Sequence, residues 1–114
     1  MVMKRGDVYL VSLEPVVGSE TGKTRPAIVV QNDLANRTSP TVTVIPVTSR
    51  TDRTFPFQVR LGAGEGGLER SGKALCEQIR TVSRQRLKRC LGQLPPERMR
   101  EIRTALDRHL WFEV

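Results

Sequence analysis

The stretch Gly18-Ser-Glu-Thr-Gly-Lys-Thr-Arg-Pro-Ala-Ile-Val-Val-Gln-Asn-Asp33 sets a polar loop directly before an apolar strand. The two glycines of the loop permit turns with positive φ, and Pro26 restricts Arg25 to an extended backbone. Residues 27–31 are a short apolar run bounded by polar residues, which predicts a buried strand. We therefore expect Arg25 to be a cation at a fixed place. Its planar set of donors suits either a bound phosphate or an ordinary surface salt bridge.

Short segments of strand-forming residues occupy most of the chain up to residue 94. Their composition and length predict strands at residues 8–13, 27–31, 41–48, 55–61 and 73–80. Glu14-Pro15 closes the first of these strands, and Pro46 indicates an edge or an ending within the third. Residues 32–40 form a polar excursion, and residues 87–94 fit either a helix or a short strand.

The last segment has the pattern of an amphipathic helix. Pro95-Pro96-Glu97 places prolines at a helix start and an acid in the first turn. The apolar residues that recur at helical spacing are Met99, Ile102, Leu106 and Leu110. The arginines around them form either a solvated face or an RNA-binding surface, and they are Arg98, Arg100, Arg103 and Arg108. We expect one domain over residues 1–114, mainly β, in which five or six short strands form a strongly bent sheet or barrel followed by one helix.

Charge and composition point to a polyanionic partner. The chain has 19 Lys and Arg against 12 Asp and Glu, which gives a net charge of +7 and favours nucleic acid. No apolar run approaches the roughly 18 residues of a transmembrane helix, and residues 1–7 lack a secretory signal, so we expect a cytoplasmic protein with no membrane partner. Cys76 and Cys90 form no Cys-x-x-Cys pair, and we expect them to be packed, reduced thiols.

Several kinds of active site are excluded by the residues that are missing. The one histidine, His109, lies near the end of the predicted helix, which excludes a ribonuclease with paired histidines and favours a packing or helix-end role. The chain has no Cys/His cluster, no nucleoside-triphosphate loop and no grouped carboxylates, so we expect neither a metal nor a cofactor. A phosphodiesterase built from this chain would have to use Arg, Thr, Ser and a carboxylate.

Such chemistry is feasible on RNA because the adjacent 2′-hydroxyl can act as the nucleophile. Arg25 would neutralise the charge that develops on the phosphate oxygens. Thr48 ends a predicted strand and would present a hydroxyl at its rim, although its β propensity alone also explains its position. Glu20 or Glu77 could accept a proton.

Six motifs in chain order strengthen this reading. They are Lys4-Arg-Gly-Asp-Val-Tyr9, Pro15-Val-Val-Gly-Ser-Glu20, Arg25-Pro-Ala-Ile-Val-Val-Gln-Asn32, Ser39-Pro40, Val47-Thr48 and Glu77-Gln-Ile-Arg-Thr81. Together they resemble the MazF/PemK (Kid) family of toxin ribonucleases from toxin-antitoxin systems, and most of all its Gram-positive-type MazF enzymes. The resemblance implies an SH3-like, partly open barrel with a C-terminal helix. It also implies metal-independent cleavage of single-stranded RNA at short motifs, which leaves 2′,3′-cyclic phosphate and 5′-hydroxyl ends and stops translation and growth.

The resemblance also assigns roles to individual residues. Arg25 and Thr48 match the family's catalytic arginine and hydroxyl, Glu20 matches an acid important in some relatives, and Glu77 matches the acid of the Kid-like branch. Leu75 stands where that branch has a second catalytic arginine, which favours the Arg25 and Thr48 arrangement. The residues expected to bind RNA are Ser19, Thr21, Lys23, Thr24, Ser49, Arg50, Phe55 and Gln78.

The family's partners are expectations of the same kind. The resemblance implies a homodimer inhibited by an acidic, MazE-like antitoxin segment, with promoter DNA bound only indirectly through the antitoxin. Two other functions stay open: a CcdB-like toxin that poisons gyrase, and a non-catalytic SH3-like module that binds RNA or a protein. The intact Gly-Ser-Glu, Arg-Pro and Val-Thr elements argue against the gyrase poison.

Overall fold

The computed structural model describes residues 2–20 and 22–111, which form a strongly bent antiparallel sheet and two α-helices. The strands are β1 (Asp7–Ser12), β2 (Thr24–Val29), β3 (Thr41–Thr48), β4 (Gln58–Leu61), β5 (Gly72–Leu75), β6 (Arg80–Ser83) and β7 (Leu87–Gln93). The helices are α1 (Asp33–Thr38) and α2 (Pro96–Leu110). Three short 3-10 segments span Glu65–Gly67, Cys76–Gln78 and Arg84–Arg86.

Within the described residues the sheet has 7 strands in the order β4-β5-β3-β2-β1-β7, with β6 also paired to β3. The two ends of this order do not pair, so the barrel stays open. The predicted mainly β fold with a C-terminal helix is therefore confirmed, with more strands than the five or six expected. The extra strand arises because a 3-10 turn at Cys76–Gln78 interrupts the predicted strand at residues 73–80, so that β5 ends at Leu75 and a separate strand, β6, begins at Arg80.

The core lies on both faces of the sheet. Ile28 packs in one buried cluster, and its neighbours Ala27 and Val29 pack in a second one. This division follows the alternation of side chains along a strand and explains why the segment is apolar throughout. Ile102 and Ala105 of α2 complete the first cluster, and full burial of a side chain such as Ile102 contributes about 1.5–3 kcal/mol.

Two local predictions are wrong, and the open choice between helix and strand at residues 87–94 is decided. The polar excursion at residues 32–40 contains the helix α1, whose Asn32 side chain accepts a hydrogen bond from the Ala35 N–H at 2.8 Å. Residues 87–94 contain β7, a strand, because they pair with β1. Pro46 lies at neither an edge nor an ending but is fully buried within β3. It sits between the part of β3 that pairs with β6 and the part that pairs with β5.

Other boundaries shift by a few residues. The fourth strand begins only at Gln58, and β2 begins at Thr24, so Arg25 belongs to the strand and not to the loop before it. In α2, Ile102 is buried as predicted, but Leu110 is exposed. His109 lies in the last turn of α2, with its ring centroid 5.9 Å from that of Phe57, which is a packing contact.

Candidate active site

Arg25 is held at a fixed point near the start of β2. It lies opposite Val11 of β1, and its half-buried side chain donates a hydrogen bond from Nε to the Gly22 carbonyl at 2.9 Å. The turn before it is closed by a hydrogen bond from the Leu13 N–H to the Lys23 carbonyl at 2.8 Å, with Lys23 at a φ of 66°. The guanidinium is therefore oriented by the backbone of its own turn, and its Nη1 and Nη2 donors make no hydrogen bond within the described residues.

Thr48 ends β3 at the same end of the sheet. The β2–β3 register sets Ala27 opposite Pro46, and continuing it by two residues brings Arg25 opposite Thr48. Opposite residues of antiparallel strands project to the same side, so both side chains share one side of the strand pair. Thr48 is 9% exposed, and its Oγ1 accepts a hydrogen bond from the Arg50 N–H at 3.3 Å. The hydroxyl hydrogen remains free for another acceptor.

A cavity of about 510 Å³ lies at this end of the sheet. Four of the predicted site residues line it: Thr24, Arg25, Thr48 and Ser49. The sequence prediction missed the polar residues that complete its wall, which are Glu69, Arg70, Ser71 and Arg89. The cavity thus combines an excess of arginine with several hydroxyls, a lining that suits a phosphodiester backbone.

Long-range pairing explains why Arg89 was missed. Leu10 of β1 lies opposite Pro26 on one side and opposite Arg89 of β7 on the other. Arg89 therefore reaches the cavity across three strands, and no local pattern around it signals this position.

Gly72 lets β5 pack closely against the end of β3 at the same site. A Cβ on Gly72 would lie 2.5 Å from the Thr48 carbonyl oxygen. Only glycine lets β5 approach the end of β3 this closely.

Glu77 lies outside this lining, in the 3-10 turn that packs against β3 and β4. Its Oε2 accepts a hydrogen bond from Gln58 Nε2 at 2.8 Å, and Gln58 Oε1 accepts one from the Phe55 N–H at 3.1 Å. The other carboxylate oxygen, Oε1, is buried and has no hydrogen-bond partner in the described part of the chain. Glu77 thus keeps one acceptor unused. Gln78 follows it in the same turn.

Several other predicted residues do not line the cavity. Glu20 and Ser19 are exposed in the β1–β2 loop, where Glu20 Oε1 accepts a hydrogen bond from the Val17 N–H of its own turn. Lys23 and Arg50 are exposed as well. Thr21 lies outside the described residues. The roles of all these residues stay predictions.

The two cysteines and the ionisable groups suggest no other chemistry. Both thiols are free, and burial, with Glu77 nearby, raises the pKa of Cys76 to about 12, so this thiol stays protonated. Among residues 2–20 and 22–111, no three His, Cys, Asp or Glu side chains are grouped as a metal site. In the same residues no helix is long and apolar enough to cross a membrane.

Comparison with known proteins agrees with this geometry. The profile described as PemK-like, MazF-like toxin of type II toxin-antitoxin system matches residues 4–110. The chain belongs to this family. It is 45% identical to the endoribonuclease EndoA of Bacillus subtilis (strain 168) over 108 residues, which cover 94% of the chain and 93% of EndoA.

Solved structures of this toxin family have the same fold. A crystal structure of MazF from Deinococcus radiodurans matches with a TM-score of 0.84 and 30% identity, over 97% of this chain and 98% of that one. An endoribonuclease from a mycobacterial species, solved in complex with its cognate antitoxin, matches with a TM-score of 0.80 and 28% identity over 98% of both chains. The predicted family and enzyme class, a toxin endoribonuclease, are therefore confirmed, and the gyrase poison and the non-catalytic module are not favoured.

Proposed function

We propose that this toxin cleaves single-stranded RNA at short sequence motifs through attack of the 2′-hydroxyl on the adjacent phosphate. One observation carries the proposal: Arg25 and Thr48 project from the same end of the β2–β3 pair into a cavity lined by further arginines and hydroxyls. Attack by the 2′-oxygen displaces the 5′-oxygen of the next nucleotide. The products then carry a 2′,3′-cyclic phosphate and a 5′-hydroxyl.

Arg25 has the properties of a transition-state stabiliser. A guanidinium stays protonated at neutral pH, so it cannot serve as the general base. Its free Nη1 and Nη2 donors, held at a fixed place, suit the two non-bridging oxygens of a phosphate whose charge grows during attack. Thr48 would add a hydroxyl donor to the same oxygens or to the departing 5′-oxygen.

Proton transfer requires a further group, and we infer that Glu77 suits this task better than Glu20. The Oε1 atom of Glu77 is buried and makes no hydrogen bond within the described residues, so this oxygen is the one left to accept a proton. Glu20 is exposed, and its carboxylate already closes its own turn.

Substrate binding would involve the residues around this centre. Thr24 and Ser49 line the cavity beside Arg25, while Ser19, Thr21, Lys23, Arg50 and Gln78 would contact the RNA on either side. Phe55 would stack on a base, and single-stranded RNA is the substrate that exposes its bases in this way.

The test is incubation of the purified protein with structured and unstructured RNA in EDTA, followed by analysis of the fragment ends. We expect discrete fragments from the unstructured RNA, with 5′-hydroxyl ends that polynucleotide kinase labels directly. Intact RNA, or 5′-phosphate ends, would contradict the proposal. Activity that returns only with added divalent cations would contradict metal independence.

We further propose that the functional unit is a cytoplasmic homodimer inhibited by an acidic antitoxin segment. Two chains related by a two-fold axis would join their cationic cavities into a longer channel for RNA. A MazE-like segment rich in Asp and Glu would occupy that channel, as the net charge of +7 favours, and promoter DNA would be bound only through the antitoxin. Light scattering tests the dimer, and competition between the antitoxin and RNA tests the shared channel. A fully active monomer, or simultaneous binding of both, would contradict this arrangement.

A further inference from the structure

Lys73 is a buried cation within a strand. It lies in β5 and is only 8% exposed, whereas lysine is rarely buried without a partner. Its Nζ donates a hydrogen bond to the backbone carbonyl of Arg53. Within the described residues it forms no ion pair with a carboxylate. Burying an ammonium at a strand position costs free energy, whereas an apolar side chain there would not. Packing alone therefore does not explain why a lysine is buried here and bonded to residue 53.

The bonded carbonyl belongs to the segment 49–57, here called the rim loop, which begins directly after Thr48. Three side chains from different elements hold this loop. Besides Lys73 of β5, Gln58 of β4 accepts a hydrogen bond from the Phe55 N–H at 3.1 Å, and Arg108 of α2 donates one to the Pro56 carbonyl at 3.3 Å. The rim loop is therefore fastened to the sheet and to the helix.

The fastened loop displays an ordered stack. The Arg53 guanidinium carbon lies 4.8 Å from the centre of the Phe55 ring, and the Phe55 and Phe57 rings are 5.4 Å apart and nearly parallel at 2°. Phe55 remains 38% exposed. A cation stacked on an exposed aromatic ring suits contact with a nucleotide.

Strand pairing places the Lys73 bond close to the active site. Lys73 lies directly opposite Thr48 in the β3–β5 register. The residue that holds the rim loop is therefore paired with the residue that supplies the candidate catalytic hydroxyl. Ser49, the first residue of that loop, lines the same cavity as Thr48. The hydrogen bond from Lys73 thus holds the loop that leaves β3 directly after Thr48.

We propose that Lys73 is a positioning residue that holds the rim loop against the sheet, so that Ser49, Arg53 and Phe55 are preorganised to bind RNA beside the cavity. This role rests on the proposed cleavage of RNA. Because Lys73 acts through loop contacts and not on the reacting phosphate, its loss should weaken binding of the substrate and spare the chemical step.

The decisive variant is Lys73→Met, which keeps the length of the side chain and removes the donor. KM for an RNA oligonucleotide should rise about tenfold, the effect expected for one charge-assisted hydrogen bond, while kcat stays within about twofold. Amide hydrogen exchange of the rim loop, measured without RNA, should accelerate about tenfold while exchange in β3 and α2 is unchanged. Lys73→Arg, which retains a cationic donor, should recover part of both effects.

Arg60→Met is the matched control for the lost charge. Arg60 lies opposite Lys73 on the neighbouring strand β4, is exposed, and makes no hydrogen bond to the rim loop in the described part of the chain. For Arg60→Met, KM and the amide hydrogen exchange of the rim loop should stay within about twofold of wild type at physiological salt, because salt screens exposed charges. If Lys73→Met fails to fold, Lys73→Val provides the same loss of the donor with a side chain suited to a buried strand.

Two results would overturn the role of Lys73: wild-type KM and wild-type loop exchange in a folded Lys73→Met or Lys73→Val protein, or an equal rise in KM for Arg60→Met. A wild-type protein that leaves RNA intact would instead overturn the proposed function. The exchange experiment would then still report whether Lys73 holds the loop.

Discussion

Replacing Arg25 by alanine should separate catalysis from folding. The guanidinium makes one hydrogen bond within the described residues, from Nε to the Gly22 carbonyl at 2.9 Å, and its remaining donors are free for the phosphate. Loss of one preorganised donor to a developing oxyanion costs about 100- to 1000-fold in kcat, or about 2.7–4 kcal/mol. Because the guanidinium offers two charged donors, we expect a loss near the upper end of this range.

The fold should tolerate the same change. The lost hydrogen bond to Gly22 contributes about 0.5–1.5 kcal/mol, which is small beside a typical free energy of unfolding of about 5–15 kcal/mol. Arg25→Ala should therefore keep its circular dichroism spectrum and melt within several degrees of wild type. Arg25→Lys should recover only part of the activity, because an ammonium lacks the planar pair of donors.

Single-turnover cleavage of a labelled oligonucleotide at saturating enzyme gives the rate of the chemical step directly. Arg70→Ala is the matched control, since Arg70 lines the same cavity but is exposed, and it should raise KM severalfold with little change in kcat. A folded Arg25→Ala protein whose cleavage rate lies within about tenfold of wild type would refute the assignment of Arg25.

Three further predictions concern individual side chains. Thr48→Val keeps the shape and β propensity of the strand end, so its melting temperature should match wild type while its single-turnover rate falls at least about tenfold. Thr48→Ser keeps the hydroxyl and should retain most of the single-turnover rate. Glu77→Gln should lower kcat in single-turnover cleavage, and Glu20→Gln should not; the reverse ranking would assign proton transfer to Glu20. A hydrogen bond from the Gly62 N–H and the ion pair with Arg98 hold the pKa of Glu65 below its ordinary value of 4.5. The ionised Glu65 therefore stabilises the fold fully above pH 4.5, and this stabilisation is lost as the pH falls through the lowered pKa. Glu65→Gln should make the melting temperature depend less on pH in the acid range. An unchanged dependence of the melting temperature on pH would contradict this prediction.

The parts of the fold that the sequence predicts well depend on local patterns. Apolar runs with strand propensity located β1 and β3, and prolines followed by a helical stripe located α2. Arg25 and Thr48 were singled out for a similar reason, because each lies near the end of a strand that its own neighbours define. Their convergence on one cavity follows from the β2–β3 register.

The parts that were missed depend on contacts between distant segments. Residues 87–94 fitted both a helix and a strand, because only pairing with β1, far away in the sequence, selects the strand. Arg89 reaches the cavity only through that pairing. The helix α1 was missed because it has only six residues, four of them polar, and its main signal is the Asn32 cap. Lys73 gave no local sign of burial, since its bond to residue 53 exists only when the rim loop folds over β5.

Cleavage of an RNA oligonucleotide with a single 2′-deoxy substitution tests the proposed mechanism most directly. The cleaved bond is first mapped on the all-RNA strand, and the nucleotide on its 5′ side is then replaced by its 2′-deoxy form in an otherwise identical strand. We predict that the modified strand still binds but is not cut at that bond, because the nucleophile is gone, while a 2′-deoxy substitution one nucleotide further upstream leaves cutting intact. Cleavage of the modified bond at the wild-type rate would show that the nucleophile is another group and would contradict the mechanism.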